Sequence, residues 1–122
     1  MVWKATPQPS ELRLKNQGKL LVVSFEDGRS FDLEAEYLRV ESPSAEVQGH
    51  SPMEKRTVGG KKNVAILRIE PVGNYAVKIT FDDGHDTGIY AWDTFVELGS
   101  RKDEIWGAYL DALKAKGLSR EA

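Results

Sequence analysis

From Tyr75 to Phe81 the chain alternates, with Tyr75, Val77, Ile79 and Phe81 on one side and Ala76, Lys78 and Thr80 on the other. A period of two predicts a half-buried antiparallel strand. Leu21, Val23 and Phe25 fall in the same phase as Val77, Ile79 and Phe81, and the residues around them also return. Leu12-Arg13-Leu14, Gly18 and Phe25-Glu26-Asp27-Gly28-Arg29 reappear as Leu67-Arg68-Ile69, Gly73 and Phe81-Asp82-Asp83-Gly84-His85. The offset is 55 residues over the first part and 56 over the second, so one residue is added in a turn. A one-residue slip would turn the buried face outward, so the shared phase predicts two copies of one small β unit.

Each copy reaches Asp-Gly, at Asp27-Gly28 and Asp83-Gly84, which predicts a two-residue hairpin turn and a short strand after it. Helical spacing follows: Tyr37-Leu38 within Glu34 to Val40, and Trp92, Phe95 and Val96 within Ala91 to Leu98, with Gly99 as a stop. Further on, Ser100 and Asp103 resemble a capping box, and Ile105, Trp106, Tyr109, Leu110 and Leu113 form one apolar stripe. With Lys114 and Lys116 before Gly117, residues 101–116 read as a C-terminal amphipathic helix. Its plain role is to cover a face of the sheet; its sharper role is to dock a partner. Between them, Glu41 to Asn63 has no period and is broken by Pro43, Gly49, Pro52, Gly59 and Gly60. A connection that long is usually functional or disordered, so it is the first place to look for activity.

At 122 residues and 40% hydrophobic content the chain is expected to form one domain over 1–122, with residues 1–11 flexible. A net charge of -2 gives no reason to expect nucleic acid or an anionic membrane as partner. The absence of cysteine removes disulfides, thiolate ligands and cysteine nucleophiles together. No apolar run approaches the ~20 residues of a membrane span, and the first residues do not resemble a signal peptide. A cytoplasmic protein is the resulting expectation.

Catalytic sets are mostly missing. His50 and His85 are the only histidines, and neither opens a His-x-Asp or His-x-Glu pair, so the two-histidine, one-carboxylate iron site of oxygenases cannot be assembled. Gly59-Gly60-Lys61-Lys62 lacks the earlier glycine and the hydroxyl residue of a phosphate loop. Lys55, Arg56, Lys61 and Lys62 make the connection locally basic, without the aromatics that stack on bases. Asp82, Asp83, His85 and Asp86 crowd a tight turn and are candidates for a divalent cation or proton transfer; turn chemistry explains them as well. His50 and Glu46 would join His85, Asp83 and Asp86 if the connection folded back.

Ala35-Glu36-Tyr37-Leu38-Arg39-Val40, Ser42-Pro43-Ser44-Ala45-Glu46-Val47 with Gly49-His50, Pro71-Val72-Gly73-Asn74-Tyr75-Ala76 and Phe81 through Trp92 carry a resemblance. They resemble the N-terminal domain of gamma-butyrobetaine and trimethyllysine hydroxylases, and within that family the small bacterial domains of unknown function, the DUF971 type. The resemblance runs from about Leu12 to Leu113. It implies a β-rich module holding zinc through three cysteines and a histidine; the equivalent positions here are Ser42, Ser44, Val47 and His85. Hydroxyls and a valine do not replace thiolates, so zinc or iron is suggested by the family but not by these residues. A similar module on plastid iron-sulfur carriers implies an accessory role beside an iron-sulfur assembly component or an oxygenase.

Together these readings predict an α+β fold of two repeated antiparallel β units, sandwich-like or partly closed, with short helices and a C-terminal helix. The expected function is a non-catalytic interaction domain linked to iron or iron-sulfur metabolism, contacting a protein through Ser42, Ser44, Glu46, His50, His85, Tyr90 and Trp92. The alternative is a weak divalent metal site on His85, Asp83 and Asp86, or a partner subunit of an oxygenase.

Overall fold

A computed structural model describes residues 7–121. Strands β1 (Pro9–Lys15), β2 (Leu20–Phe25) and β3 (Ser30–Glu34) form one antiparallel sheet, followed by helices α1 (Ala35–Val40) and α2 (Ala45–Gln48). Strands β4 (Ile66–Val72), β5 (Ala76–Phe81) and β6 (Ile89–Ala91) form a second, followed by α3 (Trp92–Ser100) and α4 (Lys102–Ala115). The fold is α+β, with two three-stranded sheets in sequential order that do not close.

Register follows the apolar phase. Leu21 opposes Leu14 and Leu33, while Ile79 opposes Ile69 and Val77 opposes Tyr90. Leu21, Val23, Phe25, Leu33, Val77, Ile79, Phe81 and Tyr90 meet in one core with Tyr37 and Leu38 of α1 and Phe95 and Leu98 of α3. Each such large side chain contributes roughly 1.5–3 kcal/mol by leaving water. Gly18, at φ 85°, brings the first sheet against β4, since a Cβ there would strike the Ile66 carbonyl. Two tyrosine hydroxyls pin the helices: Tyr37 donates to the Leu98 carbonyl at 2.7 Å and Tyr90 to that of Leu38 at 2.5 Å.

Several local expectations are corrected. Each hairpin turn has three residues, not two: Phe25 N–H bonds the Arg29 carbonyl and Gly28 N–H the Phe25 carbonyl, and Phe81, Gly84 and His85 do the same. Only the glycines, at φ 92° and 90°, are left-handed, as in a type I turn closed by a bulge. Tyr75 is exposed because pairing ends at Val72 with Ala76, leaving Tyr75 in the turn with its ring over Gly73. Ala76 and Thr80 are buried, so β5 is covered on both faces.

Gly99 does not stop α3. It lies inside the helix because a side chain there would collide with the Phe31 ring. The Ser100 capping box does not form, since Arg101 alone joins α3 to α4 and makes no side-chain cap. Leu110 is exposed, while Tyr109 and Leu113 pack on Val40 and Val58, so α4 covers α1 and the long connection as well as meeting the main core through Ile105 and Trp106. Gly117 ends α4: its N–H bonds the Lys114 carbonyl and Leu118 N–H that of Leu113, a paired closure needing the φ of 67° that glycine supplies. Of the segment expected to be flexible, residues 1–6 lie outside the described residues, and Pro9 to Glu11 are strand.

Candidate functional site

The long connection is ordered by its ends. After α1 the chain turns at Glu41 and Ser42, forms α2 under the Ser44 cap, and passes through a single 3-10 turn at Pro52–Glu54. Arg56 N–H returns to the Val47 carbonyl at 2.7 Å, and Val58 receives the Tyr109 hydroxyl at 2.6 Å. Gln48 bonds the Ser42 carbonyl at 2.8 Å, which folds α2 back over the turn. This places Ser42 and Ser44 against the loop after β5.

There His85 is almost enclosed, its side chain 3% exposed. Its Nε2 lies 2.9 Å from Ser42 Oγ and its Nδ1 3.3 Å from a carboxylate oxygen of Glu46. A carboxylate can only accept, so Nδ1 carries the proton towards Glu46, and in the neutral ring Nε2 then accepts from the Ser42 hydroxyl, which itself accepts from Ser44 N–H at 3.2 Å. One neutral tautomer therefore satisfies the network. Burial holds the imidazole below the usual histidine range, and the neighbouring Arg39 guanidinium pushes the same way against Glu46 and Asp83. Ser44 Oγ caps Glu46 N–H and meets Thr87 Oγ1 at 2.7 Å.

Asp83 is committed elsewhere. Its Oδ1 accepts His85 N–H at 3.0 Å, and its Oδ2 takes Arg39 Nε at 2.7 Å and Lys61 Nζ at 2.6 Å. Burial alone would raise this carboxyl, but Lys61, the His85 amide and Arg39 overcome it and hold the pKa at about 2. Asp27 does comparable work in the first hairpin, accepting Arg29 N–H at 3.1 Å and Arg29 Nε at 2.9 Å. Both aspartates thus brace a three-residue loop.

The expected metal set does not assemble. Glu46 reaches His85, but Asp86 is exposed and His50, also exposed, offers only its backbone N–H, to Glu54 at 2.7 Å. Among the described residues no three histidine, aspartate or glutamate side chains come together as metal ligands. The expected contact surface also divides. Ser42, Ser44, His85 and Tyr90 are buried, whereas Glu46 and His50 are exposed and Trp92 is half-buried.

Beside this network lies a groove of about 670 Å³ between the connection and helices α3 and α4. Val40, Leu98, Ile105 and Tyr109 give it apolar walls. Charged residues line it as well: Glu41, almost buried, pairs with Lys55 at 2.6 Å, and Arg101 pairs with Glu97 at 2.8 Å. Met53, in the 3-10 turn next to Pro52 of the groove, is 97% exposed. Arg39, Lys61, Gln48 and Thr87 were not legible as members of the network, because nothing in their spacing ties them to His85 or Asp83. Only the resemblance drew Ser42 and Ser44 towards His85.

Two sequential three-stranded sheets, a capped connection folded onto the second hairpin and a terminal helix define a small α+β class. The chain belongs to the family described as gamma-butyrobetaine hydroxylase-like, N-terminal, whose model matches residues 12–96. Two solution NMR structures are similar to it. One is 45% identical with a TM-score of 0.82, covering 96% of this chain and 92% of the other. The second is 48% identical with a TM-score of 0.83, covering 98% and 89%. A crystal structure at 1.93 Å of a protein of unknown function in the DUF971 family, from Acidithiobacillus ferrooxidans ATCC 23270, is 37% identical with a TM-score of 0.63 over 75% of this chain and 92% of that one. No curated protein matches the chain.

The zinc implied by the resemblance does not fit these residues. Ser42 and His85 bond each other, Ser44 bonds Thr87, and Val47 is buried as an apolar side chain. Neutral hydroxyls so engaged, and a valine, supply none of the thiolates a structural zinc needs. No helix among the described residues is long and apolar enough to cross a membrane.

Proposed function

We propose that this chain is a non-catalytic interaction domain that presents its 41–57 connection, with the adjoining groove, to a protein partner. The observation that carries this reading is the groove of about 670 Å³ with apolar walls, with Met53 exposed on the turn beside it. Apolar walls rimmed by the charged pairs Glu41–Lys55 and Arg101–Glu97 are the composition that marks a contact groove. The reactive groups nearby support the same reading from the opposite side. His85, Asp83, Ser42 and Ser44 are each spent on one another or on Arg39, Lys61 and Thr87, and so stiffen the face without acting on a substrate.

On this reading the contacting residues are Glu46, His50 and Met53, with Glu46 standing on the buried network through His85; Trp92, bonded to the Asn74 carbonyl at the other end of β5, lies apart from them. The family's connection to gamma-butyrobetaine hydroxylase makes an oxygenase, or an iron-sulfur assembly component, the first class of partner to try. A photo-reactive amino acid at Met53 or His50 tests the face, with Glu11 on the edge strand β1 as control. Adducts with one defined protein from the Met53 and His50 positions, and none from Glu11, are the expected result. Equal labelling from all three positions, or none, would remove the reason for assigning contact to this face.

A further inference from the structure

A second surface, sharing no residue with that face, is built around a buried carboxylate. Glu36 sits on α1 with its side chain 7% exposed, between the buried Ala35 and Tyr37. A carboxylate so enclosed is strongly unfavourable without a cation. The cation is Arg120, whose Nε and Nη2 meet the two Glu36 oxygens at 2.8 and 2.7 Å, while its guanidinium carbon lies 5.3 Å from the centre of the Trp106 ring. Two parallel bonds to one carboxylate and an aromatic face on the same plane are the features that select a guanidinium over an ammonium. The lysine nearby, Lys102, is engaged by Glu34 and the Asp32 carbonyl and leaves Glu36 to Arg120.

Arg120 arrives on a segment whose side chains are mostly exposed and which Lys62 also holds, through Glu121 at 3.0 Å. Leu118, Ser119 and Glu121 are exposed, and the main-chain bonds fastening it to the connection run from Gly60 N–H to the Ser119 carbonyl at 2.8 Å and from Lys62 N–H to the Arg120 carbonyl at 3.0 Å. Beside the guanidinium is a cavity of about 230 Å³, lined by Tyr37, Asp103 and Trp106 among others. The occupant is thus a short bent segment with an arginine inserted, bound through two main-chain carbonyls and one guanidinium.

We propose that Glu36, Trp106 and the Gly60 and Lys62 amides form a receptor for an arginine side chain presented by a partner polypeptide, occupied in the free protein by Arg120. Opening it exchanges one guanidinium for another, so the buried carboxylate stays paired throughout. The main-chain bonds favour a polypeptide as the source over free arginine, because a lone amino acid cannot reproduce both carbonyls in their spacing.

The test uses the full chain, its Arg120→Ala and Arg120→Lys variants, and a blocked Gly-Leu-Ser-Arg-Glu peptide, with citrulline in place of arginine as the uncharged control and free arginine as the competing source. Titrations are followed at the Trp106 indole N–H and the Gly60 and Lys62 amides by NMR. The expected result is saturable binding of the arginine peptide to Arg120→Ala, whose own segment competes through its two main-chain bonds alone, at least about tenfold tighter than to the wild type, which must release its guanidinium as well. Arg120→Lys should fall between them, the citrulline peptide should move none of the three signals, and Glu36→Gln in the Arg120→Ala background should abolish the response. If Arg120→Ala does not fold, Arg120→Lys carries the same comparison with the wild type. No saturable shift in whichever variant folds, or an equal response to citrulline, would overturn the proposal. Binding of free arginine as tight as the peptide would overturn its polypeptide source.

Discussion

Replacing His85 by alanine should destabilise the chain by roughly 2–4 kcal/mol, although the residue stands in a loop. The ring is 3% exposed, so its removal opens a cavity against Phe81, whose ring centre is 6.1 Å away. The Ser42 hydroxyl then loses the acceptor of its proton in a fully buried position, which alone costs about 1–3 kcal/mol. The Glu46 contact adds little, because that carboxylate is 62% exposed. For a chain of this length each kcal/mol lowers the midpoint by about 4 °C, so a fall of about 8–16 °C is expected. Urea unfolding followed by tryptophan fluorescence, with the slope unchanged, measures it. Ser42→Ala in a double-mutant cycle should couple to His85→Ala by about 0.5–2 kcal/mol. A loss below about 0.5 kcal/mol, the ordinary cost of a surface change, would refute the claim that His85 holds the connection in place.

The same imidazole gives a pH signature: its pKa is depressed in the folded chain, so the unfolded chain protonates first and stability should fall as pH drops below 6.5. That fall, read from urea midpoints at pH 7.5 and 5, should be reduced in His85→Ala. Asp83, at about 2 when folded against 3.8 unfolded, contributes up to about 2 kcal/mol that is present above 3.8 and lost as pH falls towards 2; Asp83→Asn should show the loss already at neutral pH. Gly88→Ala would put a methyl 2.5 Å from Ser42 Oγ, and calorimetry should record a loss of about 1–3 kcal/mol. Thr80→Val removes a buried hydroxyl without a partner among the described residues and should raise stability by about 1 kcal/mol.

Much of the framework was legible because it is local and periodic. The shared phase of Leu21, Val23 and Phe25 with Val77, Ile79 and Phe81 marked both central strands, and Asp-Gly marked both turns. Loop length was not legible, since Asp-Gly serves two- and three-residue turns and only the Phe25 to Arg29 and Phe81 to His85 bonds decide between them. Gly99 misled because a glycine required by the packing of Phe31 looks the same in sequence as one that ends a helix. The candidate site was less legible. Asp83 finds Arg39 and Lys61, and Glu36 finds Arg120 84 residues away, through the fold alone. Burial was equally hidden: Tyr90 and Ser42, expected at a contact surface, are fully buried.

The measurement that bears most directly on the central claim, that the hairpin groups brace a contact face instead of forming a reactive centre, is nitrogen NMR of the His85 ring. It should be recorded at neutral pH, before and after one equivalent of zinc and then of ferrous iron. A neutral ring with its proton on Nδ1, unmoved by either ion, is the expected result. A metal-induced displacement or loss of the His85 signals would contradict it and make the hairpin a working metal site.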